Sequence, residues 1–463
     1  MSVLDPVLTA IDGNLDQSVE RLFELLRLKS ISTDPAYADD CRKAAEWLVA
    51  DLETIGFSAS VRETVGHPMV VAHHDGPSPE SPHALFYGHY DVQPVDPLDL
   101  WDGDPFEPGI RQNDKGEKVI FGRGSSDDKG QLMLFVEACR AWKQVHGSLP
   151  CRITLLFEGE EESGSPSLLP FLEANADELK ADFAMVCDTG MWGGDTPAIT
   201  TTLRGLTGDE FTVRAADRDL HSGHYGGAAA NPIHIVSKIL ADMHDETGRV
   251  TIPGFYDGVE ETPRQILDSW EKLAKTGTDL LAEVDLSIPS GERGRSVLEL
   301  TWARPTAEVN GITGGYCGDG FKTVIASEAS AKVSFRLVHK QDPHAIRAAF
   351  REFVRARIPQ DCSVKFKAHG TSGAIQLAYD SPLVTKAMSA LSDEWPNPAV
   401  LIGMGGSIPI VGDFQSMLGM ESLLAGFAKD DDNVHSPNEK YDLTSFHKGQ
   451  RSWARILHAI SNN

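Results

Sequence analysis

Three short apolar runs in the first 190 residues end in the same way. HALFYGHYDV, CRITLLFEGE and DFAMVCDTG each pass from apolar residues into turn residues and ionisable side chains, and a helical stretch, GQLMLFVEACRAW, separates the first two. Continuous apolar runs of this length, interleaved with helices, predict an α/β domain whose largely parallel sheet is covered on both faces. In DCRKAAEWLVADLETIGF, Ala44, Leu48, Leu52 and Ile55 fall on one face at helical spacing, and Gly56 supplies a stop signal.

The pattern changes near residue 200. GDEFTVRAA alternates as a half-exposed strand and NPIHIVSKILADMHDE follows as a helix. SVLELTW and ASAKVSFRLV read as two further strands, PHAIRAAFREFVRARI as a helix and CSVKFKAH as a last strand. This order predicts a split βαβ, ferredoxin-like α+β domain. Residues 245–297 interrupt it and read as a partly helical insertion. After about residue 380 the α/β character returns in PLVTKAMSALSDEW, LIGMGGSIP, ESLLAGFA and a closing helix from YDLTSFHKGQRSWARILHAI. The smaller domain, 201–380, is therefore expected to be inserted between two parts of the larger one, 1–200 and 381–463. A chain of 463 residues, at roughly 150 residues per domain, fits that division.

Charge and composition narrow the class of function. A formal charge of −26 works against binding nucleic acid or an anionic membrane, both of which draw on clustered Lys and Arg. No apolar run approaches the ~20 residues of a membrane span, and the first residues lack the basic start and apolar middle of a secretory signal. The six cysteines are scattered, without a CxxC pair. Neither a disulfide framework nor a thiolate zinc site is expected, and the chain reads as cytoplasmic.

Ligands of open α/β sheets gather beyond the carboxyl ends of the strands. There the first run places His89 and Asp91, the second Glu160, Glu161 and Glu162, and the third Asp188. The loop GRGSSDDKG adds Asp127 and Asp128 before a helix, and DDDNVHSPNEKY adds His435. Each has an ordinary reading alone: a hydrogen-bonded strand end, a solvated acidic patch, a helix cap, a surface histidine. Together they mass carboxylates at one edge of a sheet, where repulsion and burial demand a compensating cation. Lys129 is one source of that charge. Histidines beside carboxylates favour a divalent transition metal, and a shared carboxylate would let two ions sit side by side.

Six motifs, GHYDVQP, GRGSSDDKG, EGEEESGS, DLHSGHYGG, GGSIP and NVHSPNE, occur across almost the whole chain in the order found in the co-catalytic zinc metallopeptidases. That family includes carnosinase-type dipeptidases, carboxypeptidase G and succinyl-diaminopimelate desuccinylase, and the chain resembles the dipeptidase branch most. The resemblance implies that Asp127 bridges two divalent ions, Zn²⁺ first, with Mn²⁺ or Co²⁺ as alternatives. His89 and Asp188 would bind one ion, and Glu162 and His435 the other. Asp91 would orient the His89 imidazole and Glu161 would act as general base. His221 would stabilise the oxyanion, in the same chain or in a dimer partner, while Arg336, Asn310 and Ser407 would contact substrate. Asp128 remains an alternative bridge, and Thr189 stands where the family often has Asn.

The implied activity is hydrolysis of a dipeptide or short peptide with a free C-terminal carboxylate, through a hydroxide held between two metals. Deacylation or desuccinylation of N-acylated amino acids is the alternative. The chain has no GxSxG elbow and no P-loop, which removes support from serine-hydrolase and nucleotide-driven readings. The inserted domain is expected to serve as lid and to mediate a homodimer.

Overall fold

In the computed structural model, which describes residues 2–274, 280–406 and 408–461, the chain forms two compact units. The first comprises 1–200, 377–402 and 413–463, and the second 201–376 and 403–412.

The first unit is built on a six-stranded mixed sheet with the order Ser58–Arg62, Met69–His74, Arg152–Glu158, His83–His89, Phe183–Val186, Glu421–Leu424. The last four strands are mutually parallel and the first two are antiparallel additions. Parallel pairing fixes what happens at the strand ends. His89 pairs with Glu158, and Tyr87 pairs with Val186, so the residues following all three apolar runs emerge along one edge. The two antiparallel strands, from SASVR and MVVAHH, were not anticipated; the first is only partly buried, which weakens its apolar pattern.

The helix Lys129–His146 lies in the core against the closing helix Leu443–Ser461. Phe86 of the central strand stacks on Phe135 at 3.8 Å, and Trp453 meets both rings edge-on at 5.4 Å. These rings join sheet, buried helix and closing helix through large apolar areas and favourable edge geometry.

The second unit carries a four-stranded antiparallel sheet, ordered Thr306–Gly314, Glu328–Leu337, Gly205–Arg214, Ser363–Ser372. The helices Pro232–Ala241 and Pro343–Arg355 pack on it through Val236, Ile239, Ile346 and Phe350, against Phe211, Val213 and Phe335. Strand, helix, strand, strand, helix, strand is thus the observed order, with one correction. SVLELTW is the helix Val297–Trp302, and the strand expected there is Thr306–Gly314. The Ser296 side chain accepts the Glu299 N–H at 3.2 Å, and Arg295 pairs with Glu299 at 2.7 Å one turn on. A capped start and buried Leu298 and Trp302 outweigh the β-propensity of a short apolar run.

Gly449 brings the closing helix close against Leu134 of the buried helix. A Cβ there would stand 2.5 Å from Leu134 Cδ1 and 3.0 Å from Phe427 Cδ2. Gly449→Ala is therefore expected to destabilise the first unit by about 1–3 kcal/mol through overpacking, although alanine's helix propensity alone would stabilise it by about 1 kcal/mol. Urea unfolding followed by circular dichroism decides the sign, and a gain in stability would refute the close-packing account.

Candidate metal centre

The first unit gathers the acidic and imidazole groups at the carboxyl edge of its parallel strands. His89 ends its strand fully buried, and its Nε2 lies 3.0 Å from Asp127 Oδ1 without the alignment of a hydrogen bond. His435 Nε2 reaches the other oxygen of the same carboxylate, Asp127 Oδ2, at 2.9 Å and Glu162 Oε2 at 3.2 Å. Ligand-capable atoms of His89, Asp127 and Asp188 lie within 4.8 Å of one another, as do those of Asp127, Glu162 and His435. Asp127 belongs to both groups. Asp128, the alternative bridge, turns away: its carboxylate accepts the His89 N–H at 3.1 Å and lies 3.2 Å from Cys187 Sγ.

The electrostatics follow from burial. It pushes Asp188 up to about 8, with repulsion from Asp127 and Asp128 adding to it. Burial also opposes the charge on Asp127, but the contacts from His435 and His89 outweigh it and hold that carboxyl well below the usual range. The reciprocal contacts with Asp127 and Glu162 push His435 up to about 10. Lys129 does not supply the missing positive charge, because its ammonium donates to the carbonyls of Leu25 and Leu28 at 3.2 and 2.7 Å. A buried imidazole nitrogen without a hydrogen bond, beside carboxylates that no Lys or Arg neutralises among the described residues, is a donor set that suits divalent metal.

Asp91 links two parts of this site. Its backbone carbonyl lies 3.2 Å from His89 Nδ1 and its Oδ1 3.4 Å from the same nitrogen. The same carboxylate accepts the N–H groups of Glu161 and Glu162 at 3.2 and 3.0 Å. The three glutamates then separate by partner. Glu160 accepts the N–H groups of His67 and Ser167, and Glu162 accepts from Gln93 at 2.6 Å. The Glu161 carboxyl makes no hydrogen bond or ion pair among the described residues, and burial lifts it to about 7.

His221 lies in the second unit on an exposed two-residue strand, where its Nδ1 accepts the Gly223 N–H at 3.0 Å. Arg336 and Asn310 share a cavity of that unit. Ser407 lies outside the described residues. A third acidic group, Asp431, Asp432 and Asp442, is already filled: Lys440 Nζ sits 2.8–3.0 Å from one oxygen of each.

Two residues of the site escaped the sequence reading. Glu439, fully buried, accepts the N–H groups of Gly124, Ser126 and Asp127 at 2.9–3.0 Å, and its charge is met by Arg123 at 2.7 Å. It therefore fixes the backbone from which Asp127 projects. Both residues stand inside quoted motifs, GRGSSDDKG and NVHSPNE, and the only available signal was that two loops 316 residues apart each carry one opposite charge. His435 itself has φ +60°, a left-handed conformation unusual for histidine, in a turn closed by the Ser436 N–H on the Asn433 carbonyl at 2.9 Å. Glu439→Gln removes the charge that Arg123 and three N–H groups share. It is expected to weaken retention of divalent metal roughly 10–100-fold, read by elemental analysis after dialysis against graded chelator, with circular dichroism confirming the fold. Unchanged retention would show that Asp127 holds its place without Glu439.

Comparison with known proteins is consistent over the whole length. The family described as Peptidase family M20/M25/M40 matches residues 85–459. The Cys-Gly metallodipeptidase of Schizosaccharomyces pombe is 30% identical, with 99% of this chain and 98% of that protein aligned. The human Beta-Ala-His dipeptidase is 26% identical over 98% of this chain and 92% of its own. Among solved structures, the M20 family metallo-carboxypeptidase Sso-CP2 from Sulfolobus solfataricus superposes with a TM-score of 0.80 at 29% identity, covering 96% of this chain and 99% of that one. With its fold, its family match and its full-length relatives in agreement, the chain belongs to peptidase family M20/M25/M40.

Proposed function

We propose that this enzyme is a dinuclear metallodipeptidase, which hydrolyses the peptide bond of a dipeptide or short peptide bearing a free C-terminal carboxylate. The observation that carries the reading is the sharing of Asp127 between two ligand groups. His89 and Asp188 would complete one ion's ligands, and Glu162 and His435 the other's. Ions held there, Zn²⁺ first and Mn²⁺ or Co²⁺ as alternatives, supply Lewis acidity that polarises a peptide carbonyl and makes water a better nucleophile. Relatives named as Cys-Gly and Beta-Ala-His dipeptidases support a dipeptide as substrate.

The remaining steps belong to the chain. Glu161 takes the proton of the attacking water and returns it to the departing amine. Burial raises that carboxyl from its ordinary value, the direction that lets it hold a proton before releasing it to the amine. Asp91 fixes where that carboxyl starts, through the Glu161 N–H, and aims the His89 ring. His221 stabilises the oxyanion, and Arg336 grips the substrate carboxylate with a planar, bidentate guanidinium while Asn310 and Ser407 add polar contacts. Residues 201–380 act as lid and dimerisation domain. Six cysteines without a disulfide among them fit a reducing, cytoplasmic setting, and no described helix is long and apolar enough to cross a membrane.

The decisive assay uses chelator-stripped protein, with and without added Zn²⁺ or Mn²⁺, on free dipeptides and their N-acetyl forms. Metal-restored cleavage of the free dipeptides is expected, whereas cleavage confined to the acetylated forms would make the enzyme a deacylase. Glu161→Gln is expected to lower kcat roughly 10²–10⁴-fold at unchanged metal content, and full turnover by that variant would remove Glu161 from the mechanism. Sedimentation at assay concentrations is expected to return a dimer; a strictly monomeric enzyme would end the dimerisation proposal.

A further inference from the structure

Within the second unit a cavity of about 830 Å³ opens at the sheet. Arg336 comes to it from the strand Glu328–Leu337, Glu308 and Asn310 from Thr306–Gly314, and Arg204 from the residue before Gly205–Arg214. Leu206 is the cross-strand partner of Arg336, and Arg204 precedes Leu206 by two residues, the interval that returns a side chain to the same face. The cavity is also lined by Asp245, Glu246, Gly248 and Pro289–Glu292, a wall that belongs to the insertion.

The two guanidiniums lack acidic partners. The Arg336 guanidinium makes no hydrogen bond or ion pair among the described residues. Arg204 donates from Nε to the Gly405 carbonyl at 3.2 Å and from Nη1 to the Leu300 carbonyl at 3.4 Å, which holds the group still and leaves Nη2 unbonded. Glu308 faces the same cavity but lies beyond ion-pair distance of both. Of the other acids of the cavity, Glu292 is engaged by Arg304 at 2.8 Å and Asp245 by the Thr247 and Arg249 N–H groups of its own turn, while Glu246, like Glu308, lies beyond ion-pair distance of both guanidiniums. Burial and then the neighbouring Arg336 push Arg204 down to about 10, a direction that an anion between the two would reverse. Two guanidiniums that face one concave space, neither of them in an ion pair among the described residues, form a receptor for a carboxylate.

We propose that Arg204 is a second guanidinium on the substrate's terminal carboxylate, acting beside Arg336 in this cavity. The assignment rests on the peptidase reading above and names a residue and a wall that the reading does not contain. Arg336 offers its whole planar fork, whereas Arg204 offers its Nη2 amino group, pre-set by two carbonyls. The side chain of the same substrate residue then points towards the wall built by the insertion.

The test compares a free dipeptide with its C-terminal amide in the metal-loaded wild type, Arg204→Met and Arg204→Lys. Wild type is expected to prefer the free acid. Arg204→Met is expected to lose roughly 10–100-fold in kcat/KM on the acid, mainly through KM, and little on the amide, as removal of one charge-assisted hydrogen bond requires. Equal losses on acid and amide would overturn the assignment and leave Arg204 a support for Gly405 and Leu300. Should the Met variant fail to fold by circular dichroism, Arg204→Lys reads the same ratio: a reduced preference for the acid supports the proposal and an unchanged one overturns it. A wild type that cleaves no dipeptide at all overturns the peptidase reading itself, an outcome distinct from a failure of Arg204 alone.

Discussion

Asp127, Asp188 and Glu162 converge beyond the parallel strands, where burial and mutual repulsion both oppose negative charge. Much of the surrounding structure exists to hold that unfavourable arrangement. Parallel pairing delivers His89 and Asp188 to one edge, Asp91 uses its carboxylate to tie the His89 strand to the loop of Glu161 and Glu162, and Glu439 uses its own to tie down the loop of Asp127. In each case a buried carboxylate outside the ligand groups is satisfied by backbone N–H groups, the least mobile donors a protein has. The aromatic contact of Phe86, Phe135 and Trp453 keeps the central strand and the buried helix in register beneath them.

The second unit has a different electrostatic character. Its cavity brings the guanidiniums of Arg204 and Arg336 to the sheet side, and Arg204 is set by the carbonyls of Gly405 and Leu300 instead of by acids. An acidic partner there would satisfy the arginines permanently and remove their affinity for anything else. Holding Arg204 by neutral acceptors alone keeps its charge available.

What the sequence made legible was local. HALFYGHYDV, CRITLLFEGE and DFAMVCDTG announce buried strands because the run, the glycine and the ionisable end are contiguous, and the helices at 38–55, 129–146 and 343–355 follow from 3.6-residue spacing. SVLELTW is ambiguous because seven apolar-rich residues do not distinguish a strand from a buried helix; Ser296-Val-Leu-Glu299 carries a helix-start signal that decides for the helix. The roles of Glu439, Arg123 and Arg204 could not be read in this way. Each depends on a partner hundreds of residues away or across a sheet, and one chain's spacing carries no information about such pairs. Likewise the choice of Asp127 over Asp128 in the ligand groups is made by the direction of two adjacent side chains, which composition leaves open.

Lys440 gives the loop of His435 a property the neighbouring ligand groups lack. Its ammonium closes Asp431, Asp432 and Asp442 into one knot, and Asp432 in turn accepts from Ser126, the residue before Asp127. The cation that organises this loop is therefore covalently part of the chain and present from the moment of folding. The entropy of ordering the loop is spent in folding, so an ion bound as proposed at His435 and Asp127 would meet donors that the fold already holds in place.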